Sequence, residues 1–153
     1  MVASRELPSE GVIKVWARLL RAQRVALTGV EADLKTAGVP PLAWYDVLFE
    51  LKKAGEGGLR PVELEGRLLL EQHNISRLVD RLVVAGHVHR RPCPTDRRGQ
   101  VLTLTETGRK ILRTMWPVYA GAIQRHVGSK IGTDEDVRAL SLLLERLMST
   151  RER

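Results

Sequence analysis

The apolar residues of this chain keep a helical spacing up to Ala85 and lose it between Gly86 and Leu104. Ile75, Leu78, Val79 and Leu82 fall on one face of a helix, whereas Leu102 and Leu104 alternate on one face of an extended segment from Gln100. The two periods cannot exchange places, so a helix must give way to strand here. Between them lies RRPCPTDRRG, Arg90 to Gly99. Pro92 and Pro94 fix their own φ angles and push the residues before them toward extended backbone, which excludes helix. Val88 to Arg91 and Gln100 to Leu104 therefore predict a β-hairpin with a long projecting tip. That tip carries Arg90, Arg91, Arg97 and Arg98, like charges on a stiff loop that repel one another unless an anion meets them.

The remaining segments read as helices. Gly11 to about Thr36 carries Val12, Trp16, Leu19, Leu27, Val30 and Leu34 at helical spacing, with Ile13, Leu20 and Ala26 as a second apolar strip. Pro40 and Pro41 break the chain, and Leu42 to Ala54 forms a second helix closed by Gly55. Pro61 opens a short third helix to about Leu69, and a fourth runs from Gln72 to Ala85. After the hairpin, a helix from Thr105 to Gly128 is expected to bend at Pro117. The last begins near Thr133, with Asp134, Glu135 and Asp136 in its first turn where negative charge suits the helix dipole. The fold class is mainly α with a small β-hairpin, an α+β chain expected to form one unit over 1–153.

Charge narrows the partners. Lys and Arg number 25 against 18 Asp and Glu, a formal net charge of +7 that suits a polyanion. No apolar run reaches the eighteen or so residues that span a bilayer, and MVASRELPSE has no apolar leader, so a cytoplasmic protein without a membrane partner is expected. Cys93 is the single cysteine, read as an incidental exposed thiol, and His73, His87, His89 and His126 have no metal-ligand spacing, so no metal or cofactor is expected. No phosphate loop, nucleophile elbow or paired carboxylate supports an enzyme.

Two short helices joined by a tight turn and followed by a hairpin make a winged helix-turn-helix, whose second short helix enters the DNA major groove. With Ile75, Leu78, Val79 and Leu82 turned inward, Gln72, His73, Asn74, Ser76, Arg77, Asp80 and Arg81 are left outside or near the N-terminal end. Asn and Gln can bond an adenine edge and Arg a guanine edge, so this face carries base-reading chemistry as well as charge. Asp80, one turn beyond Arg77, is placed to fix its rotamer, and Glu71 stands where a capping Ser or Thr would be expected. The first and last helices expose more apolar surface than one small lobe can cover, notably Val12, Trp16, Val137, Leu140, Leu144 and Leu147, which predicts a homodimer.

The stretch NISRLVDRLVVAGHVHRRPCPTDRRGQVLTLTETGRKIL, Asn74 to Leu112, resembles the MarR family of winged helix-turn-helix transcriptional regulators. The elements that carry the resemblance are S-R-L-V-D-R-L, the D-x-R of Asp96 and Arg98, and L-T-x-x-G at Leu104 to Gly108. It implies dimerisation helices over 11–36 and 106–150 around a DNA-binding lobe at 42–104, with the recognition helix at about 72–85 and the wing at 88–104. It also implies that Arg98 reaches the minor groove, that Asp96 holds it in place, and that Arg90, Arg91 and Arg97 accompany it on the wing. The chain departs from the family's E-L-A and turn glycine, having Glu63, Leu64, Glu65 and Gly66, then Leu68, Leu69 and Leu70.

Core packing is the preferred reading of most of the aromatic residues. The resemblance nonetheless implies a small aromatic or phenolic effector, for which Trp16, Trp44, Tyr45 and Trp116 offer rings and Arg113 a carboxylate partner, with Arg18 a further one. The function expected is a homodimeric, sequence-specific regulator of a pseudo-palindromic double-stranded operator, a repressor relieved by that effector. A constitutive regulator without effector, or a protein-interaction adaptor that keeps the fold, are the alternatives.

Overall fold

The computed structural model describes residues 6–149; the expected leaderless start at residues 1–5 and the final position of the 106–150 helix pair lie outside them. Among the described residues, seven α-helices and a two-stranded sheet follow in the order α1 (Glu10–Thr36), α2 (Leu42–Ala54), α3 (Pro61–Glu65), α4 (Ile75–Val84), β1 (Val88–Cys93), β2 (Asp96–Leu104), α5 (Glu106–Ile123), α6 (Ser129–Ile131) and α7 (Asp134–Met148). The single unit expected over 1–153 is divided in the structure. Glu31–Gly121 forms one compact unit, and the helical segments running up to Val30 and on from Ala122 form another.

The core of the Glu31–Gly121 unit is built on α2, whose Val47, Leu48 and Leu51 are fully buried, together with Leu34, Leu64, Leu82, Leu102 and Met115. Gly55 ends α2 at φ 69°, its amide returning to the Leu51 and Lys52 carbonyls. α3 stops at Glu65, four residues short of the predicted Leu69. The Gly66 and Arg67 amides close tight turns onto Val62 and Leu64, and those of Leu69 and Leu70 bond the Asp46 carboxylate instead of helix carbonyls.

α4 also begins later than predicted, at Ile75 rather than Gln72. Glu71 does not stand at the cap. Asn74 does, its side-chain oxygen accepting the Arg77 amide at 3.0 Å, so the helix has the acceptor that the sequence reading denied it. At the other end Gly86 turns the chain at φ 80° and the His87 amide bonds the Leu82 carbonyl.

The hairpin is longer and its tip shorter than expected. Pairing runs from Val88↔Leu104 to Pro92↔Gln100, and after a register shift reaches Cys93↔Asp96. A two-stranded sheet has only edge strands, where a proline's missing donor is tolerated, and the shift beside Pro92 absorbs its geometry. Leu59 adds an isolated bridge to Leu102, with hydrogen bonds of 3.0 and 2.8 Å. Gly58 makes that approach possible, since a Cβ there would collide with the Leu102 carbonyl oxygen.

Thr105 precedes α5 and ties it to the end of α4: its hydroxyl donates to the Gly86 carbonyl at 2.6 Å and accepts the Gly108 amide at 3.0 Å. Pro117 lies inside α5. The helix predicted to reach Gly128 widens instead into a π-helical turn at Gln124–Gly128, where the Gln124 side chain lies over Gly128 in space a Cβ would occupy. Thr133 caps α7 by accepting the Asp136 amide, as its acidic first turn suggested.

In the other unit the His126 ring packs against Gly29, whose missing Cβ leaves it room. Val30 and Ala122 are buried there, but Val12, Trp16, Val137, Leu140 and Leu147 are exposed, Trp16 by 62% and Leu147 by 63%. Leu144 is half-buried.

Candidate nucleic-acid interface

α4 buries Leu78, Val79 and Leu82 and leaves its other face open. His73, Ser76, Arg77 and Arg81 are exposed, and Gln72 is half-buried ahead of the helix. Asn74 is exposed, but its side-chain oxygen is committed to the cap. Asp80 does not fix Arg77. It pairs with Arg90 of β1, across the junction between helix and hairpin, so the Arg77 guanidinium has no ion pair among the described residues.

That pairing changes the reading of the wing arginines. Arg90 is tied to Asp80, and Arg91 donates to the Glu56 carbonyl oxygen at 2.6 Å. Both are spent on holding the hairpin against its own unit, which their sequence position beside the tip did not reveal. Arg97 and Arg98 are exposed and have no ion pair among the described residues.

Asp96 organises their presentation. One carboxylate oxygen accepts the Arg98 backbone amide at 3.0 Å, and the other meets the Arg60 guanidinium at 3.2 Å. The aspartate thus fixes the turn that carries Arg98 and leaves the Arg98 side chain free to point outward. Arg60, just before α3, was missed by sequence reasoning because only the Leu59–Leu102 bridge brings it beside β2. Gly99 gives it space, a Cβ there lying 3.2 Å from its guanidinium nitrogen. Cys93 sits in the same place, and its hydrogen bond with the Thr95 hydroxyl, 3.4 Å away, pulls the thiol pKa down.

The rings proposed for an effector separate into three places. Tyr45 and Trp116 come together, stacked at 6.2 Å, with Phe49 stacked on Tyr45 at 5.8 Å and Tyr119 edge-on to it at 4.9 Å. Tyr119 is among the rings the sequence offers for such a pocket, whereas Phe49 is not; its helical spacing from Tyr45 is the signal that finds it. Burial pushes both phenol pKa values up, and the Asp46 charge adds to the effect at Tyr119. Trp44 instead packs edge-on against His87, 5.7 Å between centroids. Arg113 is engaged with Glu106 at 3.3 Å, and Trp16 belongs to the other unit. Among the described residues no cluster of His, Cys, Asp or Glu could hold a metal ion, and no helix is long and apolar enough to cross a membrane.

The geometry has counterparts. The MarR family model matches residues 37–99, from the end of α1 to the second strand of the wing. The multiple antibiotic resistance protein MarR of Escherichia coli K12 is 31% identical over 106 residues, covering 69% of this chain and 72% of that protein. Sco3205, a MarR family transcriptional regulator from Streptomyces coelicolor solved in complex with DNA, has a TM-score of 0.82 and 25% identity, over 95% of this chain and 90% of that one. BpsR of Bordetella bronchiseptica, whose DNA binding is regulated by 6-hydroxynicotinic acid, has a TM-score of 0.77 at 21% identity, over 94% of this chain and 99% of that one.

Proposed function

Because the chain belongs to the MarR family of DNA-binding transcription regulators, we propose that it acts in the cytoplasm as a homodimeric repressor that reads a pseudo-palindromic operator with α4 and holds it with the wing. The observation that carries this is the division of labour among the basic groups. Arg90, Arg91 and Arg60 are bound to groups of the lobe itself, while Arg77 and Arg81 on α4 and Arg97 and Arg98 on the wing are left facing outward. A helix face with Ser76 and Arg77 near its start has donors for base edges, and an arginine at a narrow hairpin tip suits a groove rich in phosphate potential. His73, Gln72 and Asn74 border that face, Asn74 chiefly as its cap.

The exposed Val12 and Trp16 of α1 and Val137, Leu140 and Leu147 of α7 support the dimer, since apolar surface of that extent is normally covered in a soluble protein. Two copies related by a two-fold axis would place two α4 helices about one DNA turn apart, roughly 10 bp. Random-site selection followed by mobility shift at physiological salt tests the reading. A dyad-related pair of half-sites is the expected result, and an asymmetric site or no selected sequence would contradict it.

An effector reading rests on the Tyr45–Phe49–Trp116–Tyr119 cluster, where Trp116 remains 50% exposed. An exposed ring stacked on a buried one offers a flat apolar ledge for a small aromatic or phenolic molecule. Thermal-shift screening with such compounds, followed by DNA titration, separates this from a constitutive regulator. A ligand that lowers DNA affinity must itself be bound less tightly, by the same factor, when DNA is present.

A further inference from the structure

We propose that Asp46 is a positioning residue for DNA recognition, acting through the backbone of the turn that leads into α4. The residue sits on α2 and is 7% exposed, a carboxylate in the core of the lobe. Its two oxygens accept the amides of consecutive residues, Leu69 at 3.1 Å and Leu70 at 2.8 Å. Among the described residues, these are the two backbone amides in the stretch 68–76 that have an acceptor.

The side chains of that stretch do not supply a substitute. Leu69 is 82% exposed, and Leu68 and Leu70 are only half-buried. The buried residues of α4, namely Leu78, Val79 and Leu82, lie in its middle and toward its far end, as does the Asp80–Arg90 pair, while Ile75 at its start is only half-buried. The start of the helix, with His73, Asn74, Ser76 and Arg77, therefore depends on the turn before it. α2 is a rigid support, since Val47, Leu48 and Leu51, which follow Asp46 on the same helix, are fully buried. In a helix-turn-helix it is the N-terminal residues of the second helix that meet base edges. Asp46 thus sets the pose of the base-reading end from inside the lobe, without touching DNA, and the proposal rests on the reading of α4 given above.

Asp46→Asn keeps the shape but replaces one acceptor oxygen with an amide donor that must face a backbone donor. The probes are a duplex selected by the wild type from a random pool and an unselected random-sequence duplex. The expected result is about a tenfold loss of affinity for the selected duplex, with affinity and salt dependence on the random duplex unchanged, because phosphate contacts do not require the same register. A purely structural role would lower both affinities together with the folded fraction. Hydrogen exchange on the wild type supplies the second measurement. Leu69 and Leu70 amides should be protected although their segment is neither helix nor strand, and exchange at open-chain rates would overturn the proposal whether or not the variant folds. Protected amides with an unchanged ratio of selected to random affinity in a folded Asp46→Asn would overturn it alone. If the wild type selects no sequence, the base-reading role of α4 falls and this proposal with it, even with both amides protected.

Discussion

The Asp80 carboxylate of α4 accepts a hydrogen bond from the Arg90 guanidinium of β1, so the helix and the wing of the lobe are strapped to each other by one ion pair. With the two side chains 59% and 33% exposed, a double-mutant cycle by urea unfolding should give a coupling of only about 0.2–1 kcal/mol. DNA affinity is the more sensitive readout. Asp80→Ala and Arg90→Ala should weaken binding in the same direction with the salt slope preserved, because each releases the wing without removing a phosphate partner. If Arg90→Ala alone lowers the slope by about one, Arg90 touches phosphate directly and the strap is not its role.

Asn74 offers a separation of capping from base contact. Its oxygen holds the Arg77 amide, so Asn74→Ala should cost about 0.5–2 kcal/mol of stability, and Asn74→Asp, an equally good cap, should cost little. The aspartate variant should nevertheless bind DNA more weakly, since it adds negative charge at the end of α4 that the proposed reading turns toward DNA. Thermal unfolding and mobility shifts on the same three proteins check both halves of this expectation. Equal stability of wild type and Asn74→Ala would remove the cap from the account.

The parts of this lobe legible in the sequence are those governed by local rules. Gly55, Gly86 and Thr133 ended or began helices where their φ freedom or side-chain oxygen demanded, and the apolar spacing of α2 and α4 identified the buried faces. What stayed hidden depends on groups brought together from afar. Asp46 meets Leu69 and Leu70 across 23 and 24 residues, which is why α3 ends early. Arg60 meets Asp96 across 36 residues and Arg91 meets Glu56 across 35. The four arginines flanking the loop are alike in charge and local setting, the resemblance setting only Arg98 apart, and tertiary pairing divides them into two that brace and two that project.

His87 makes the lobe's stability sensitive to acid. Burial beside Trp44 lowers its pKa, and its Nδ1 is buried without a hydrogen-bond partner among the described residues. The unfolded chain takes up a proton near pH 6.5, while the folded lobe keeps the ring neutral to lower pH. The contribution is thus fully present above about pH 6.5 and is lost as pH falls through the folded-state pKa. Melting temperatures should decline between about pH 7 and 5, and His87→Gln should flatten that decline. A decline of equal steepness in the variant would assign it to other groups.

The apolar surface of α1 and α7 should behave as an association surface. Leu140 and Leu147 are 40% and 63% exposed, and replacing both with Glu places charge where a dimer would need to exclude water. Sedimentation should report a dimer for the wild type and a monomer for the double variant, with cooperative unfolding of Glu31–Gly121 retained. An undissociated double variant would locate the interface elsewhere.

The roles of Arg98 and Arg77 can be told apart because a wing tip and a helix face meet different features of DNA. Arg98 has its backbone held by Asp96 and its guanidinium unpaired among the described residues, so it is presented as a charge at the end of a braced hairpin. Arg98→Ala should weaken binding to all sequences and flatten the salt dependence by about 0.9 for each phosphate that is no longer neutralised, with base preference nearly unchanged. Arg77 lies in the first turn of α4, beside Ser76, with Asp80 committed to Arg90 rather than to it. Its guanidinium is therefore available for a base edge, and Arg77→Ala should relax preference at one position in each half-site at about 1–3 kcal/mol for each base edge it reads. Random-site selection on the wild type and both variants measures the two effects in one experiment. If Arg98→Ala altered the preferred bases while Arg77→Ala lowered affinity uniformly, the two roles would be exchanged.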